Sequence, residues 1–223
     1  IGIDNLAALA WNTGKRPVLF KGTPLKSVNQ YYNKQMAKRR SICERMNGRH
    51  SSKRIARLTV KRNRKVEDYL HKASRKVIDL CAGQDVSVLV IGKNKGWKQE
   101  ANLGRKLNQS FVQLPFARFI QMLQYKAESI GMKVVLTEES YTSGTSFLDD
   151  EAPVKACYDK SRRVHRGLFL ANDGQRINAD VNGAYQIMRK VFPNVNADGI
   201  EGVALRPAVV TLSMSARRGS GCA

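Results

Sequence analysis

The hydrophobic pattern of the first 82 residues predicts two strands followed by two long helices. Residues 1–11 and 17–21 are largely apolar and are separated by a turn at residues 12–14, which is typical of a β-hairpin. Residues 25–82 consist mainly of helix formers with apolar side chains at helical spacing, and Asn47-Gly48 interrupts them. This part of the chain predicts a long antiparallel helical hairpin.

The pattern then changes to two short apolar runs on either side of an amphipathic segment. Residues 86–91, which Gly92 follows, and residues 133–137 are rich in Val, Ile and Leu, as buried parallel strands are. Between them, residues 115–131 begin with proline, repeat apolar side chains at helical spacing and end with glycine. The strand–helix–strand order predicts a right-handed parallel crossover, so the fold class is α/β.

The last third of the chain predicts a hairpin, a helix and a tail. Residues 164–170 contain an apolar run, and Asn172-Asp173-Gly174 supplies turn chemistry before the next short strand. A helix with one apolar face follows and contains Asp180 near its start, and Pro193 ends it. Residues 193–223 carry few signals of regular structure, and we expect a loosely packed tail there.

The charge balance makes nucleic acid the leading partner class. The chain has 39 Lys and Arg residues against 18 acids, a net charge of +21, so its field attracts polyanions. Residues 25–82 hold 17 Lys and Arg residues against four acids, whereas acids normally balance the charge runs of solvated helix faces. The residues of this hairpin that we expect to contact nucleic acid are Lys38, Arg39, Arg40, Lys53, Arg54, Arg57, Lys61, Arg62, Arg64 and Lys65.

A second candidate contact lies after the first crossover strand. Trp97 and Lys98 stand in a polar segment, where an aromatic ring and a cation can bind nucleic acid by stacking and charge. An equal alternative is that Trp97 fastens this segment to the core.

Cysteine spacing and hydropathy indicate the compartment. The four cysteines are too far apart for a zinc knuckle or a redox motif, which favours free thiols in a reducing cytoplasm. No apolar run approaches the roughly 20 residues that span a bilayer, and no leader sequence opens the chain. We therefore expect a cytoplasmic protein without a membrane partner.

Four short segments resemble the TnpB family, the OrfB-type transposase-associated proteins. They are Gly2-Ile3-Asp4-Asn5-Leu6-Ala7, Tyr125-Lys126-Ala127-Glu128, Tyr141-Thr142-Ser143 and Asp180-Val181-Asn182-Gly183-Ala184-Tyr185. They occur in the family's order along nearly the whole chain. The resemblance implies an RNase H-like (RuvC-like) mixed sheet into which the long basic helical hairpin is inserted.

The resemblance also implies a division of the chain. Residues 1–192 would form the nuclease domain, with residues 25–82 as the basic hairpin insertion. Residues 142–178 would be a degenerate form of the family's zinc-ribbon or target-strand-loading insertion, and residues 193–223 the C-terminal tail. The family's N-terminal domains, which bind RNA and the target-adjacent motif, are missing, so the chain would be a truncated member.

The implied function is that of a transposon-encoded, RNA-guided DNA endonuclease associated with transposition and DNA recombination. Its partners would be DNA and a guide RNA, its cofactor Mg²⁺ or Mn²⁺, and its location the bacterial cytoplasm at the nucleoid. The oligomeric state is left open. Such a site needs carboxylates from different strands and a helix to hold two divalent cations.

The family's first and third acids correspond to the two ends of this chain's nuclease domain. The first Asp of the family would fall directly before Ile1, because Gly2 matches the glycine two positions after it. Asp4 is the nearest substitute, but a turn or capping acid is the preferred interpretation. The third acid matches Asp180, for which the alternative is an ordinary acid in the first turn of a helix.

The family's second acid, a Glu at the end of a strand, corresponds to Gly92. Glu138 and Glu139 end the neighbouring strand, about 4.8 Å away in a sheet, where a glutamate can reach the space that glycine leaves empty. Glu139 is favoured over Glu138, because related sequences without the usual Glu carry one just before their Tyr-Thr-Ser segment. The catalytic candidates are therefore Asp180, Glu139 and Glu138, with Asp180 and Glu139 as metal ligands, unless both glutamates are exposed loop carboxylates.

The family's zinc ribbon is not expected here. Relatives often place two Cys-x-x-Cys pairs between the Tyr-Thr-Ser segment and the last Asp, whereas this chain has only Cys157 there. We therefore expect no zinc, and a hairpin at residues 164–176 that is held by packing alone and is softer than in zinc-bearing relatives.

Two other hypotheses remain. The chain can be a catalytically inactive remnant that binds guide RNA or a duplex through the basic hairpin, without metal and without need of Asp180 or Glu139. A basic structural protein of the ribosomal type explains the charge, but it explains neither the crossover strands nor the Asp-Val-Asn-Gly segment.

Overall fold

The computed structural model describes residues 1–93, 113–165 and 167–214. In chain order the strands and helices are β1 (Asn5–Leu9), β2 (Val18–Lys21), α1 (Thr23–Asn47), α2 (Lys53–Ala82), β3 (Val88–Gly92), α3 (Phe116–Glu128), β4 (Lys133–Thr137), β5 (Phe169–Leu170), β6 (Arg176–Ile177), α4 (Ala179–Val191), α5 (Glu201–Ala204) and β7 (Ala208–Val210). Within these ranges, no helix is both long and apolar enough to cross a membrane.

The predicted strand pairs are confirmed. β1 and β2 pair antiparallel, as the turn between them requires, and β3 and β4 pair parallel in register from Val88 with Lys133 to Gly92 with Thr137. The chain passes from β3 to β4 through α3, which is the crossover that the sequence predicts. β5 and β6 form the short antiparallel hairpin before the last long helix.

The helical hairpin is also confirmed. Local features of the sequence end α1 and begin α2. α1 ends where Gly48 adopts a left-handed backbone with φ +60°, which glycine does without steric cost. The side chain of Ser52 accepts a hydrogen bond from the backbone N–H of Ile55 and so caps α2. α2 buries one face from Ile55 to Cys81, while its other residues remain toward solvent.

The sheets lie between two layers of helices. On one face, Phe20 of β2 belongs to a core cluster with Tyr69 of α2 and Phe119 of α3. On the other face, the adjacent Leu19 packs in a second cluster with Phe147 and Tyr185 of α4. Successive strand residues point to opposite faces, so one short strand joins both cores. α4 packs against β1, β3 and β4.

The expectation of a loosely packed tail is wrong for the described part of it. β7 adds a parallel strand to β2, and the backbone N–H of Ala208 donates to the carbonyl of Pro17 at 2.7 Å. Ala197, Ile200 and Ala204 are buried in the second core cluster. A three-residue strand has too short a pattern to be visible in the sequence, since its pairing partner lies near the other end of the chain.

Charge-assisted hydrogen bonds fasten the hairpin at residues 164–176 to the segment before it, which corrects the expectation that packing alone holds this hairpin. The guanidinium of Arg162 donates to Asp149, to Glu151 at 2.6 Å and to the carbonyl of Leu170 at 3.1 Å. Its side chain is 13% exposed, so these bonds form largely away from water. Charge-assisted hydrogen bonds of this kind are among the stronger polar contacts in proteins.

We predict that Arg162→Ala destabilises the protein by about 3 kcal/mol, because it leaves two half-buried carboxylates without their cation. Chemical denaturation measures the free energy of unfolding, with the exposed Lys160→Ala as the matched control. An Arg162→Ala variant as stable as the control would show that the ion pairs do not hold this segment.

Candidate functional site

A cavity of about 650 Å³ separates the two larger sheets. Its walls include residues of β1, residues of β3 and the start of α4. Among the described strands, β1 pairs only with β2 and β3 only with β4, so each presents an unpaired edge toward the other. The carboxyl end of β3 and the residues after β4 border one end of this cavity.

Asp180 lies in the first turn of α4, at the wall of the cavity. Asn178 caps this helix by accepting hydrogen bonds from the backbone N–H groups of Asp180 and Val181, and the helix N-terminus favours a negative charge at this position. The amide of Asn5 donates to the Asp180 carboxylate at 2.7 Å. The Arg163 guanidinium lies 3.6 Å from the other carboxylate oxygen. The carboxylate is thus held in place from two sides.

Glu139 occupies the space that Gly92 leaves empty. A Cβ atom placed on Gly92 would lie 2.5 Å from Oε1 and 2.7 Å from Cγ of Glu139, so any side chain at position 92 would displace the glutamate. Glu139 borders the same cavity as Asp180. Burial raises the pKa of its carboxyl group.

Glu138 points away from this cavity. Its carboxylate accepts hydrogen bonds from Lys190 and Ser140, and its side chain is 62% exposed. The hydrogen bond from Lys190 is the largest cause of the lowered pKa of Glu138. Consecutive residues of an extended chain point to opposite sides, so Glu139, and not Glu138, lies on the wall of the cavity that Asp180 also lines.

The other residues considered for the site fall into two groups. Asp4 forms an ion pair with Lys26 in the first turn of α1 and does not line the cavity. Arg163, which no sequence motif selects, does line it. No local pattern marks Arg163 among the 39 basic residues, because its role depends on the contact with Asp180 across the fold.

The donors in the cavity are of the kind that Mg²⁺ and Mn²⁺ prefer, since both Asp180 and Glu139 offer carboxylate oxygens. A metal ion also suits a buried carboxylate whose pKa is raised, because the ion can replace the proton. Across residues 1–93, 113–165 and 167–214, no group of three or more His, Cys, Asp or Glu side chains is arranged to hold a metal. The residues present therefore fit a metal in kind and supply two of the three carboxylates that the resemblance implies.

The basic hairpin presents most of its predicted contacts to solvent. Eight of the ten residues are exposed, and Arg39 and Arg62 are intermediate. Within the described ranges, no ion pair joins any of the ten to an acid. The predicted contacts Trp97 and Lys98 lie outside the described residues.

Arg62 serves to join the two helices of the hairpin. Its guanidinium donates to Asn29 of α1 at 2.8 Å and to the carbonyl of Gln113 at 2.6 Å, and it lies 5.6 Å from the ring centroid of Tyr32. Burial lowers its pKa. The donors that would bind a phosphate are therefore largely engaged inside the protein.

Two family models match the chain in succession. The OrfB model, described as a probable transposase, matches residues 1–98, and the model of the Cas12f1-like TNB domain matches residues 116–187. Together they span β1 to β6, the helical hairpin, α3 and most of α4.

Curated relatives and solved structures are similar to nearly the whole chain. A CRISPR-associated endodeoxyribonuclease, Cas12f2, from Micrarchaeota archaeon (strain CG1_02_47_40) is 24% identical over 87% of this chain and 36% of its own length. The TnpB-like protein ORF457 of Acidianus two-tailed virus is 23% identical over 85% of this chain and 40% of its own length. The chain thus spans less than half the length of these relatives.

Among solved structures, a cryo-EM structure of a Cas12f1–sgRNA–target DNA complex superposes with a TM-score of 0.60 at 18% identity, covering 84% of this chain and 47% of that one. A CRISPR–Cas12f ternary complex gives the same TM-score and identity over 84% of this chain and 37% of that one. The fold is therefore similar to that of Cas12f proteins.

We predict that Glu139→Gln stabilises the metal-free protein at neutral pH. In the folded protein the pKa of Glu139 is raised above its ordinary value of 4.5. The free energy of unfolding therefore falls as pH rises from 4.5 through the raised pKa. Glutamine has no proton to lose, so the variant does not show this fall. Denaturation in EDTA at pH 4 and pH 8 should show the gain only at the higher pH. The control is Glu138→Gln, which should show no gain in stability, because the pKa of Glu138 is lowered and not raised. Equal gains in both variants would contradict the conclusion that burial destabilises the ionised form of Glu139.

Proposed function

The chain belongs to the TnpB family of transposase-associated proteins, and from this premise we propose that it contributes the catalytic site of a divalent-metal-dependent, RNA-guided DNA endonuclease. The observation that carries the proposal is the Glu139 carboxylate beside Gly92, where a Cβ would lie 2.5 Å from its Oε1. A carboxylate from the strand next to β3 thus takes the place that a glutamate of β3 would take. Asp180 borders the same cavity.

Similarity to Cas12f proteins supports nucleic acids as partners. One curated relative is an endodeoxyribonuclease, and one solved relative was determined with sgRNA and target DNA. The charge of this chain agrees with such partners, because its excess of Lys and Arg is concentrated on an exposed hairpin. A basic hairpin of this kind would bind the phosphates of the nucleic acid and would not recognise its base sequence.

In the proposed reaction, Asp180 and Glu139 hold Mg²⁺ or Mn²⁺, and Asn5 keeps the Asp180 carboxylate in orientation. The bound ion would polarise the scissile phosphate and lower the pKa of a water molecule. Arg163 lies beside the Asp180 carboxylate, where its guanidinium can donate hydrogen bonds to a phosphate oxygen. A bound cation would favour the ionised form of Glu139, since its charge would compensate for the loss of solvent.

We further propose that the two larger sheets are halves of one RNase H-like mixed sheet, with a strand between β1 and β3. The backbone N–H of Gly2 donates to the carbonyl of Leu6 at 3.2 Å, so the chain at Ile1 already runs beside β1. The cavity of about 650 Å³ lies between these two strands. A strand leading into Ile1 would place its last residue near Glu139, where an Asp would supply the third carboxylate.

The direct test is Mg²⁺-dependent cleavage of labelled DNA by the protein extended through the reading frame upstream of Ile1, with its co-purified RNA. Asp180→Asn and Glu139→Gln should each lower the cleavage rate by roughly 100-fold or more, because each removes a metal ligand. Glu138→Gln is the matched control and should cleave normally, since its carboxylate faces Lys190.

A relocation experiment separates a metal ligand from a merely structural residue. Gly92→Glu combined with Glu139→Gly moves the carboxylate to the neighbouring strand and should restore part of the activity that Glu139→Gly loses. Gly92→Glu alone should be inactive or unstable, because two side chains then compete for one space. Cleavage that survives the loss of Glu139 and Asp180 would refute the proposed site.

A second candidate function is metal-independent nucleic-acid binding by an inactive remnant. The exposed hairpin favours it, and so does the presence of only two carboxylates in the described walls of the cavity near Gly92. In this case the variants of Asp180 and Glu139 would bind RNA and DNA as the unmodified protein does, and none would cleave.

Both functions predict that the hairpin carries a salt-dependent part of the binding. Replacing Lys61, Arg64 and Lys65 by alanine should weaken duplex binding. The plot of log K against log salt should also become less steep, by up to about 0.9 for each phosphate that is no longer neutralised. The matched control is Lys76→Ala on the same helix, which is exposed but lies near the core. An unchanged salt slope in the triple variant would place the nucleic acid elsewhere.

A further inference from the structure

A chain of hydrogen bonds behind the candidate site leads from Lys21 through Asn5 to Asp180. The ammonium group of Lys21 donates to Oδ1 of Asn5 at 3.1 Å, and Nδ2 of the same amide donates to Oδ2 of Asp180 at 2.7 Å. Asn5 and Asp180 line the cavity, whereas Lys21, the last residue of β2, is not among the described residues that line it. Lys21 therefore contacts the site through the Asn5 side chain.

The pairing of β1 with β2 brings these two side chains together. Asn5 and Lys21 are direct partners in the antiparallel ladder, and the register shifts by one residue between Asn5 and Ala7. Side chains of directly opposed residues leave the sheet on the same face, with Cβ atoms about 5 Å apart. A register shift of this kind often redirects a side chain beside an active site.

Close contacts fix the backbone at Lys21. The hydroxyl of Tyr69 on α2 donates to the Lys21 carbonyl, and the backbone N–H of Gly22 donates to the carbonyl of Asp4 at 2.8 Å. A Cβ atom on Gly22 would lie 2.0 Å from the carbonyl oxygen of Ile3, so only glycine allows this approach of the two chain segments. The fixed backbone limits the positions that the Lys21 ammonium group can reach.

The lysine decides the orientation of the Asn5 amide. An ammonium group has donors and no acceptor, whereas a carboxylate has only acceptors. The amide oxygen must therefore face Lys21 and the amide NH₂ group must face Asp180. The reversed amide would place donor against donor and oxygen against oxygen. Asn5 is 8% exposed, so water does not compensate for such a mismatch.

The oriented amide in turn fixes the carboxylate of Asp180. Asn5 occupies Oδ2, whereas Arg163 lies 3.6 Å from Oδ1, which is longer than a hydrogen bond. The Asn178 cap already fixes the backbone of Asp180, so the amide restricts the remaining rotation of the side chain. Hydrogen bonds of this kind commonly orient the carboxylates that bind metals.

We propose that Lys21 is a positioning residue of the candidate site, which fixes the Asn5 amide and through it the metal-binding carboxylate of Asp180. The inference rests on the proposed nuclease function and deepens it, because it names a residue outside the cavity on which metal binding depends. The charge of Lys21 acts in the opposite direction, since a cation near the site repels a metal ion. Loss of Lys21 therefore weakens metal binding through Asn5, whereas loss of its charge alone would strengthen it.

The first measurement follows the side-chain amide protons of Asn5 by NMR in EDTA, so that neither metal nor activity is needed. The proton that Asp180 accepts should exchange slowly with water in the unmodified protein. Lys21→Met removes the donor and should speed this exchange by roughly five-fold or more, whereas Lys21→Arg keeps a donor and should keep the exchange slow. The free energy of unfolding of each variant is measured alongside.

The second measurement is the Mn²⁺ concentration that half-saturates the protein. Lys21→Met and Asn5→Ala should each raise it by roughly ten-fold, and the double variant should raise it no further, because the two residues act in series. The matched control is Lys26→Met, which removes an equal charge from the ion pair with the adjacent Asp4 and should not weaken Mn²⁺ binding.

The proposal is overturned if Lys21→Met lowers the free energy of unfolding but leaves the exchange of the Asn5 amide unchanged. It is also overturned if the effects of Lys21→Met and Asn5→Ala on Mn²⁺ binding add, or if Lys21→Arg binds Mn²⁺ as weakly as Lys21→Met. Asp180→Asn separates this proposal from the proposed function. If Asp180→Asn keeps full Mn²⁺ affinity, the metal site itself is refuted; if it loses Mn²⁺ while Lys21→Met does not, only the role of Lys21 is refuted.

Discussion

The packing of α4 across both larger sheets is the constraint on which the rest of the structure depends. This helix contacts β1 on one side of the cavity and β3 and β4 on the other, so it sets the separation of two strand edges that do not pair with each other. Val181 and Tyr185 of this helix are fully buried. The same helix begins at the Asn178 cap, which places Asp180 at the open end of the cavity.

A small number of steric and electrostatic contacts position the side chains of the candidate site. Gly92 has no side chain, so Glu139 from the neighbouring strand fills the space beside it, and burial there raises the pKa of the glutamate. Arg163 and Asn5 approach Asp180 from opposite elements. A site assembled in this way needs contributions from separate parts of the chain, and it forms only after both sheets have packed on α4.

Ionic contacts hold together the segment between β4 and α4. Arg162 links Asp149, Glu151 and the carbonyl of Leu170. Arg189 of α4 donates to Asp150 at 2.5 Å and lies 4.6 Å from the ring centroid of Phe147. Arg162, Asp149 and Glu151 are largely buried, so their ion pairs are costly to separate, and Arg189 attaches the segment to α4.

The sequence by itself determined the order of strands and helices as far as α4 and the basic hairpin, because periodicity, caps and charge density are local properties. Its resemblance to the TnpB family selected Asp180 and Glu139 as candidates. It also indicated that Gly92 leaves a space for a neighbouring side chain. Only the tertiary structure decided that Glu139 rather than Glu138 enters the cavity, that Arg62 is engaged within the hairpin, that Arg163 reaches Asp180 and that β7 joins the sheet. These outcomes depend on which face of a strand or helix meets a distant partner, and no local pattern encodes that choice.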